Sequence, residues 1–277
     1  MAGKLYVVGT PIGNLGDMTY RAVETLEAVD FICAEDTRVT AKLLNYFEIK
    51  KPMVSHHAHN LRESCAAVLA RILAGESCAV VSDAGMPCIS DPGEELVRIC
   101  AEHGIEVCAV PAASAAVTAL AISGLPTARF SFEGFLSVNK KSRRVHLAAA
   151  AKLTSTLIFY EAPHKLLPTL RDMLASFGDR RISLCRELTK VYEEVVRTTL
   201  SEAVTRYRAQ APRGEFVLVI EGAQAEEEPS LTVDDAAEQA RALVAGGMRA
   251  ADACRTVAKD TGFTKSELYA RLLEQDA

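Results

Sequence analysis

A chain of 277 residues at 49% hydrophobic content is long enough to bury two sizeable cores, so two domains are expected. Its formal net charge of -5 excludes the mode of nucleic-acid coating that depends on neutralising many phosphates, although not a local basic patch. No stretch approaches the roughly 18 apolar residues of a spanning helix, and residues 1–4 run straight into a strand, which predicts no signal peptide and a cytoplasmic location.

In chain order, residues 5–8 read as a short apolar strand, 19–29 as an amphipathic helix and 31–34 as a second strand ending at Glu35-Asp36. Residues 37–47 follow as a helix that Asp36 or Thr37 can cap, and Asn60 can cap the next helix over 61–73. A strand over 78–81, a helix over 92–102 entered through Pro92, a strand over 107–110 and a helix from near Ser114 complete a strict alternation. A mostly parallel sheet follows from that beat. Gly124-Leu125-Pro126-Thr127 breaks the last helix and marks the expected boundary between an N-terminal α/β domain, 1–123, and a second α/β domain, 124–222.

The second domain changes texture. Strands are expected over 129–135, 155–160, 181–185, 194–199 and 215–220, with helices over 141–151 and 163–177. The quick return from 181–185 to 194–199 suggests an antiparallel pair and hence a mixed sheet. An acidic, proline-ended linker over 223–232 leads to a small helical C-terminal domain, 233–277. Its three short helices fit either a helix-turn-helix module or a small packing appendage.

Four polar turns follow apolar strands: Gly9-Thr10-Pro11-Ile12-Gly13-Asn14, Ser82-Asp83-Ala84-Gly85-Met86-Pro87, Pro111-Ala112-Ala113-Ser114 and Glu161-Ala162-Pro163-His164. Turns rich in backbone donors at strand carboxyl ends are where open α/β sheets bind small molecules. A dinucleotide fingerprint does not fit, because Pro11 interrupts its register and Gly16 arrives too late. Asp83, with a second acidic turn at Ser90-Asp91-Pro92-Gly93, suits a polar or cationic ligand such as an ammonium, a ribose hydroxyl or a sulfonium.

The eight cysteines form no C-x-x-C pair and read as reduced core residues. Adjacent His56 and His57 point to opposite faces of an extended segment, only His57 and His59 share one, and no nearby acid completes a set, so no metal is expected. One of these histidines, with Asn60, is expected to touch substrate or hold the loop. Arg186 and Lys190, just past a strand, are candidates for phosphate contacts, and Glu187 or Lys190 for steering a hydroxyl proton. Lys140, Lys141, Arg143 and Arg144 form a basic segment suited to RNA phosphates.

Read together, the segments L-Y-V-V-G-T-P-I-G-N-L-G-D from Leu5, A-E-D-T-R from Ala34, V-S-D-A-G-M-P-C-I-S-D-P-G from Val81, F-E-G-F-L from Phe132, F-Y-E-A-P-H from Phe159 and R-E-L-T-K-V-Y-E-E from Arg186 resemble the tetrapyrrole (corrin/porphyrin) methylase superfamily. Within it they resemble the bacterial small-subunit rRNA cytidine 2'-O-methyltransferases. The resemblance implies two α/β domains with S-adenosylmethionine in the cleft between them, usually in a homodimer. By that similarity Pro11 and Gly13 bound the cleft, and Asp83, Ala84, Gly85 and Pro87 meet the methionine moiety. Ala112 and Ser114 lie by the cofactor, while Glu161, Ala162, Pro163, Gly214 and Glu215 close its adenosine side. The implied partner is 16S rRNA in the small ribosomal subunit, methylated on a cytidine near the decoding centre. One departure stands out: the family's third turn is usually Pro-Gly-x-Ser, and here Ala112 replaces that glycine. If the position has positive φ, the alanine costs on the order of 1 kcal/mol or shifts the loop, which puts cofactor affinity in question and not the activity class.

Methyl transfer from a sulfonium to a hydroxyl is an in-line displacement, so catalysis rests on alignment and on collecting one proton. Glu35, Asp36, Glu187 and Lys190 are all candidates to take or relay it, with Lys190 orienting the sugar and Glu187 holding Lys190. Two rivals remain in view: a methylase of the same superfamily acting on a tetrapyrrole or other small molecule, and a non-catalytic RNA-binding assembly factor.

Overall fold

A computed structural model describes residues 2–57, 60–224 and 231–273. His59 and most of the acidic linker expected over 223–232 therefore lie outside the described residues. The chain divides between residues 223 and 224 into two compact units, and the first holds both sheets.

The first sheet is built from β1 (Leu5–Val8), β2 (Phe31–Ala34), β3 (Met53–Ser55), β4 (Cys78–Val81) and β5 (Val107–Val110). The strands pair in parallel in the order β3-β2-β4-β1-β5. Helices α1 (Tyr20–Ala28), α2 (Thr37–Tyr46), α3 (Leu61–Leu73) and α4 (Gly93–Glu102) connect them. Strand pleat sends Phe31, Cys33, Cys78 and Val80 toward α3 and α4, and Ile32, Ala34, Ala79 and Val81 toward α1 and α2. Both faces are thus covered, which explains why these strands read as continuous apolar runs. All eight cysteines are free thiols. Asp36, one of the two caps expected, caps α2, and Thr19 lies just outside α1 as its cap. Asn60 does not cap α3 through its side chain.

Helix α5 (Ala115–Ser123) precedes the expected boundary at 124 yet packs on the second sheet, where Ala116, Ala119 and Leu120 meet Ile158, Cys185, Val217 and Val219. That sheet comprises β6 (Phe130–Phe135), β7 (Thr156–Glu161), β8 (Arg181–Arg186), β9 (Glu194–Thr199) and β10 (Phe216–Ile220). Its order is β6-β7-β10-β8-β9, with β6 parallel to β7 and the other pairs antiparallel. The other face is covered by α6 (Lys140–Ala150), α7 (Pro163–Phe177) and α8 (Leu200–Ala209), which bury Leu147, Leu166, Leu170, Met173 and Tyr207 with Phe159 and Leu218. The two lobes therefore share α5 and form one unit.

The second unit is three helices, α9 (Val233–Ala245), α10 (Ala250–Thr261) and α11 (Lys265–Leu273). A capping box between Thr232 and Asp235 opens α9, and Ala236, Ala240, Ala253, Cys254, Val257, Leu268 and Leu272 form its small core.

Candidate active site

Three of the expected turns converge at the carboxyl edge of the first sheet. Strands β1 and β4 are neighbours whose connections leave in opposite directions, the switch point at which such sheets bind ligands. There the Thr10 amide donates to the Gly85 carbonyl at 2.8 Å and the Gly85 amide returns a bond to Thr10 at 3.1 Å. The Thr10 hydroxyl donates to the Ser82 carbonyl at 3.3 Å. The third turn closes on Gly9, where any Cβ would fall 2.5 Å from the Ala112 methyl and 2.7 Å from the Met86 sulfur. Gly85 has φ +80 and lies against Ile12, so Pro11, Gly13, Asp83, Ala84, Gly85, Pro87, Ala112 and Ser114 belong to one region. Ala112 is not among the positive-φ residues. The expected strain is absent, and its methyl fills space that Gly9 leaves open.

Carboxylates gather beside this cradle. The Asp36 amide donates to Asp83 Oδ1 at 3.2 Å, and the Asp83 amide reaches Glu35 Oε2 at 3.5 Å. Burial raises the pKa of Glu35, and the charges of Asp83 and Asp36 add to it. Burial likewise raises Asp83. Asp91 is pushed up to about 6, first by burial and then by the charge of Glu35. The sequence marks Asp91 as part of a second acidic turn that suits a polar or cationic ligand; its burial near Glu35 is what singles it out for proton chemistry. Asp36 goes the other way: hydrogen bonds from Arg38 hold its carboxyl well below the usual range. As the cap of α2 paired with Arg38, it is removed from the candidate proton acceptors.

The second lobe contributes a held cation. The turn after β8 places Glu187 at φ 51 and Thr189 at φ 65, left-handed conformations that cost roughly 1 kcal/mol each. The Lys190 amide bonded to the Glu187 carbonyl at 3.0 Å, and the Thr189 amide bonded to Glu193 Oε2 at 2.6 Å, fix that turn. Lys190 Nζ lies 3.1 Å from Glu187 Oε1 and 2.8 Å from Glu215 Oε2. Glu187 Oε1 also accepts the Glu215 amide at 2.8 Å, and its stem crosses Gly214, where a Cβ would meet it at 2.5 Å. Burial alone would depress the lysine, but the bonds it donates to Glu215 and Glu187 outweigh it and raise its pKa. Burial alone would raise Glu187, and the Glu215 amide and Lys190 reverse that too. Lys190 is therefore an ammonium at neutral pH, not a base. A Cβ on Gly13 would fall 2.5 Å from Lys190 Cγ, so the first turn and the held cation touch.

The remaining expected residues make the following contacts. The buried Glu161 carboxylate accepts from the Ala162 amide at 2.9 Å and from the Thr169 hydroxyl, which anchors the start of α7 at Pro163. Tyr160, one pleat step earlier, faces α5 instead and its hydroxyl accepts the Ala116 amide at 3.2 Å. Arg186 is engaged by Glu194 at 3.1 Å. On α6, Arg143 shares the inward face with Leu147 and Ala150, pairing with Asp172 at 2.8 Å and Thr169 at 3.1 Å, whereas Lys140, Lys141 and Arg144 are exposed. The reading of Arg143 as a phosphate contact is corrected accordingly. The Asn60 amide donates to the Ser55 carbonyl at 3.0 Å while its Oδ1 accepts the His57 amide at 2.9 Å, so it holds the loop. His56 is buried between the Ser64 hydroxyl and the Pro92 carbonyl, at 2.7 and 3.0 Å.

Two α/β lobes sharing one unit, with glycine turns meeting at a switch point, define an α/β fold with a candidate small-molecule site at the carboxyl edge of its parallel sheet. The same fold occurs in the uroporphyrin-III C-methyltransferase of Thermus thermophilus complexed with S-adenyl homocysteine, at TM-score 0.55 and 19% identity over 78% of this chain and 97% of that one. A family model for tetrapyrrole (corrin/porphyrin) methylases matches residues 4–204, and one described as the RsmI C-terminal HTH domain matches 232–276. The chain belongs to the tetrapyrrole methylases, and it is an S-adenosylmethionine-dependent methyltransferase. It is 48% identical to the ribosomal RNA small subunit methyltransferase I of Synechocystis sp. over 99% of both chains. The enzyme of the same name from Bacillus subtilis is 45% identical over 96% of this chain and 93% of its own length.

Proposed function

We propose that the protein transfers the methyl group of S-adenosylmethionine to the 2'-hydroxyl of a cytidine in 16S rRNA near the decoding centre, acting in the cytoplasm as a homodimer on the small ribosomal subunit. The observation that carries this reading is the nearly end-to-end match to relatives named for small-subunit rRNA methylation. The site's chemistry agrees with the cofactor. Gly9 and Gly85 let three turns close on one another at the sheet edge, and Glu35, Asp83 and Asp91 beside them complement a cationic sulfonium or ammonium.

When bound, the cofactor supplies an electrophilic methyl group. Pro11, Gly13, Asp83 to Pro87, Ala112 and Ser114 hold it, and Gly214 and Glu215 approach from the second lobe. The remaining task falls to this chain's own groups: align the hydroxyl, stabilise its oxygen and remove its proton. Lys190 has three N–H donors and spends two on Glu187 and Glu215. The third is available to orient the sugar oxygen and stabilise charge developing on it. Asp91 and Glu35, whose proton affinities burial raises, are the better acceptors for the proton; Glu187, held low, acts by fixing Lys190. Recognition of the 2'-hydroxyl selects RNA over DNA.

Incubating the purified protein with labelled S-adenosylmethionine and either small subunits or a tetrapyrrole precursor tests the reading. Label in small-subunit rRNA, mapped to a ribose, is expected; label only in the tetrapyrrole would reassign the substrate.

A further inference from the structure

We propose that the Phe135 ring is a stacking platform for an unpaired base of the RNA substrate, set beside the Ser90-Asp91 turn and followed in the chain by the basic residues of α6; this rests on the RNA reading above. Phe135 ends β6 and is 59% exposed. It is nonetheless fixed, edge-to-face on Tyr160 with centroids 5.4 Å apart, and Phe132 packs on the same tyrosine at 5.0 Å. The β-bulge between Phe132 and Gly134 explains this geometry: the extra residue brings Phe132 and Phe135 to one side of a strand whose pleat would otherwise separate them. A rigid ring presents a π-face at little entropic cost.

The surroundings select the occupant. Gly134 has φ +64, and a Cβ there would come 3.5 Å from the Ser90 hydroxyl, so the aromatic end of β6 adjoins the turn that carries Asp91. Asp91 also acts electrostatically on Tyr160, which places the carboxylate near the ring cluster. Downstream, Lys140, Lys141, Arg144 and Val145 line a shallow depression on α6. Between Glu133 and Glu161 the chain carries no Asp or Glu, and Glu133 itself is bound to His146 at 2.7 Å. In a protein of net charge -5 this is a basic segment that follows the fixed aromatic ring closely in the chain. Stacking rings interleaved with backbone-directed cations are the means by which proteins grip single-stranded nucleic acid. A second copy of this acidic chain is less complementary to such a segment than a polyanion.

The test compares Phe135→Ala, Phe135→Leu and Phe135→Trp in steady-state methylation of purified small subunits, with calorimetry of S-adenosylmethionine and sedimentation of each variant. Alanine and leucine are expected to raise KM for the subunit by roughly five- to 150-fold, the span of base–aromatic stacking, and tryptophan to stay within about twofold. Cofactor affinity and oligomeric state should not change. Leucine performing as well as phenylalanine, or the loss tracking dimer dissociation or cofactor affinity, overturns the platform. If the unmodified protein leaves small-subunit rRNA unlabelled, the RNA reading itself falls and the platform falls with it.

Discussion

The two lobes of the first unit contribute to the site in opposite ways. The parallel lobe works by omission: Gly9 and Gly85 carry no side chain where three turns meet, and the carboxylates behind them are raised by burial. The mixed lobe works by addition, extending a lysine whose ammonium two glutamates hold in place. A cradle made of backbone is suited to binding and a restrained side chain to acting on what is bound, so the two lobes should separate affinity from turnover.

The harshest challenge to that division is Gly9→Val. With Ala112 and Met86 inside van der Waals distance of any Cβ, cofactor affinity should fall roughly 100-fold while circular dichroism stays native; calorimetry showing parental affinity would remove the cradle. Lys190→Ala should do the reverse, lowering the single-turnover rate about 100-fold with cofactor affinity nearly unchanged.

Asp91→Asn sharpens the role of the acid cluster. With a folded pKa of about 6 against an ordinary 3.8, wild-type turnover should rise through pH 6 as the carboxylate ionises, and the asparagine variant should lose that limb and about tenfold in rate. Stability should move the opposite way. An acid whose folded pKa is raised favours the fold below its unfolded pKa and loses that contribution as pH climbs through 6. The variant should therefore melt higher than wild type at pH 7 to 8, by about 1 kcal/mol after solvent screening, and the gain should vanish below about pH 4. Equal melting temperatures across that range would place Asp91 in solvent.

The smallest effects distinguish neighbours on α6. Arg144→Glu should weaken RNA binding and flatten its salt slope by about 0.7 per lost contact, without altering stability. Arg143→Ala, stripping a guanidinium from Asp172 and Thr169, should cost roughly 1 kcal/mol of stability and leave the slope alone. A filter-binding titration at several salt concentrations, beside denaturant melts, reads both.

The fold was largely legible because strands covered on both faces are plainly apolar and glycine or proline marks nearly every turn. Among the α-helices and strands of the described residues, two escaped. Strand β3 has three half-buried residues and no alternation to detect. Helix α8 was announced by Thr199 and Glu202, a capping pair whose threonine does accept the Glu202 amide, but it follows a β-branched run that hides it. At the site, the turns were legible through their glycines, whereas side-chain direction was not. A single pleat step separates Tyr160 from Glu161, and one helical step separates Arg144 from Arg143; only packing decides which member faces inward.

The rung between Thr10 and Gly85 joins segments 75 residues apart. During synthesis the first turn must therefore wait, unpartnered, until β4 and the glycine after it have left the ribosome. No N-terminal fragment ending before that glycine can assemble the cradle, so the methyl donor is unable to template early folding and can only reward a lobe already built.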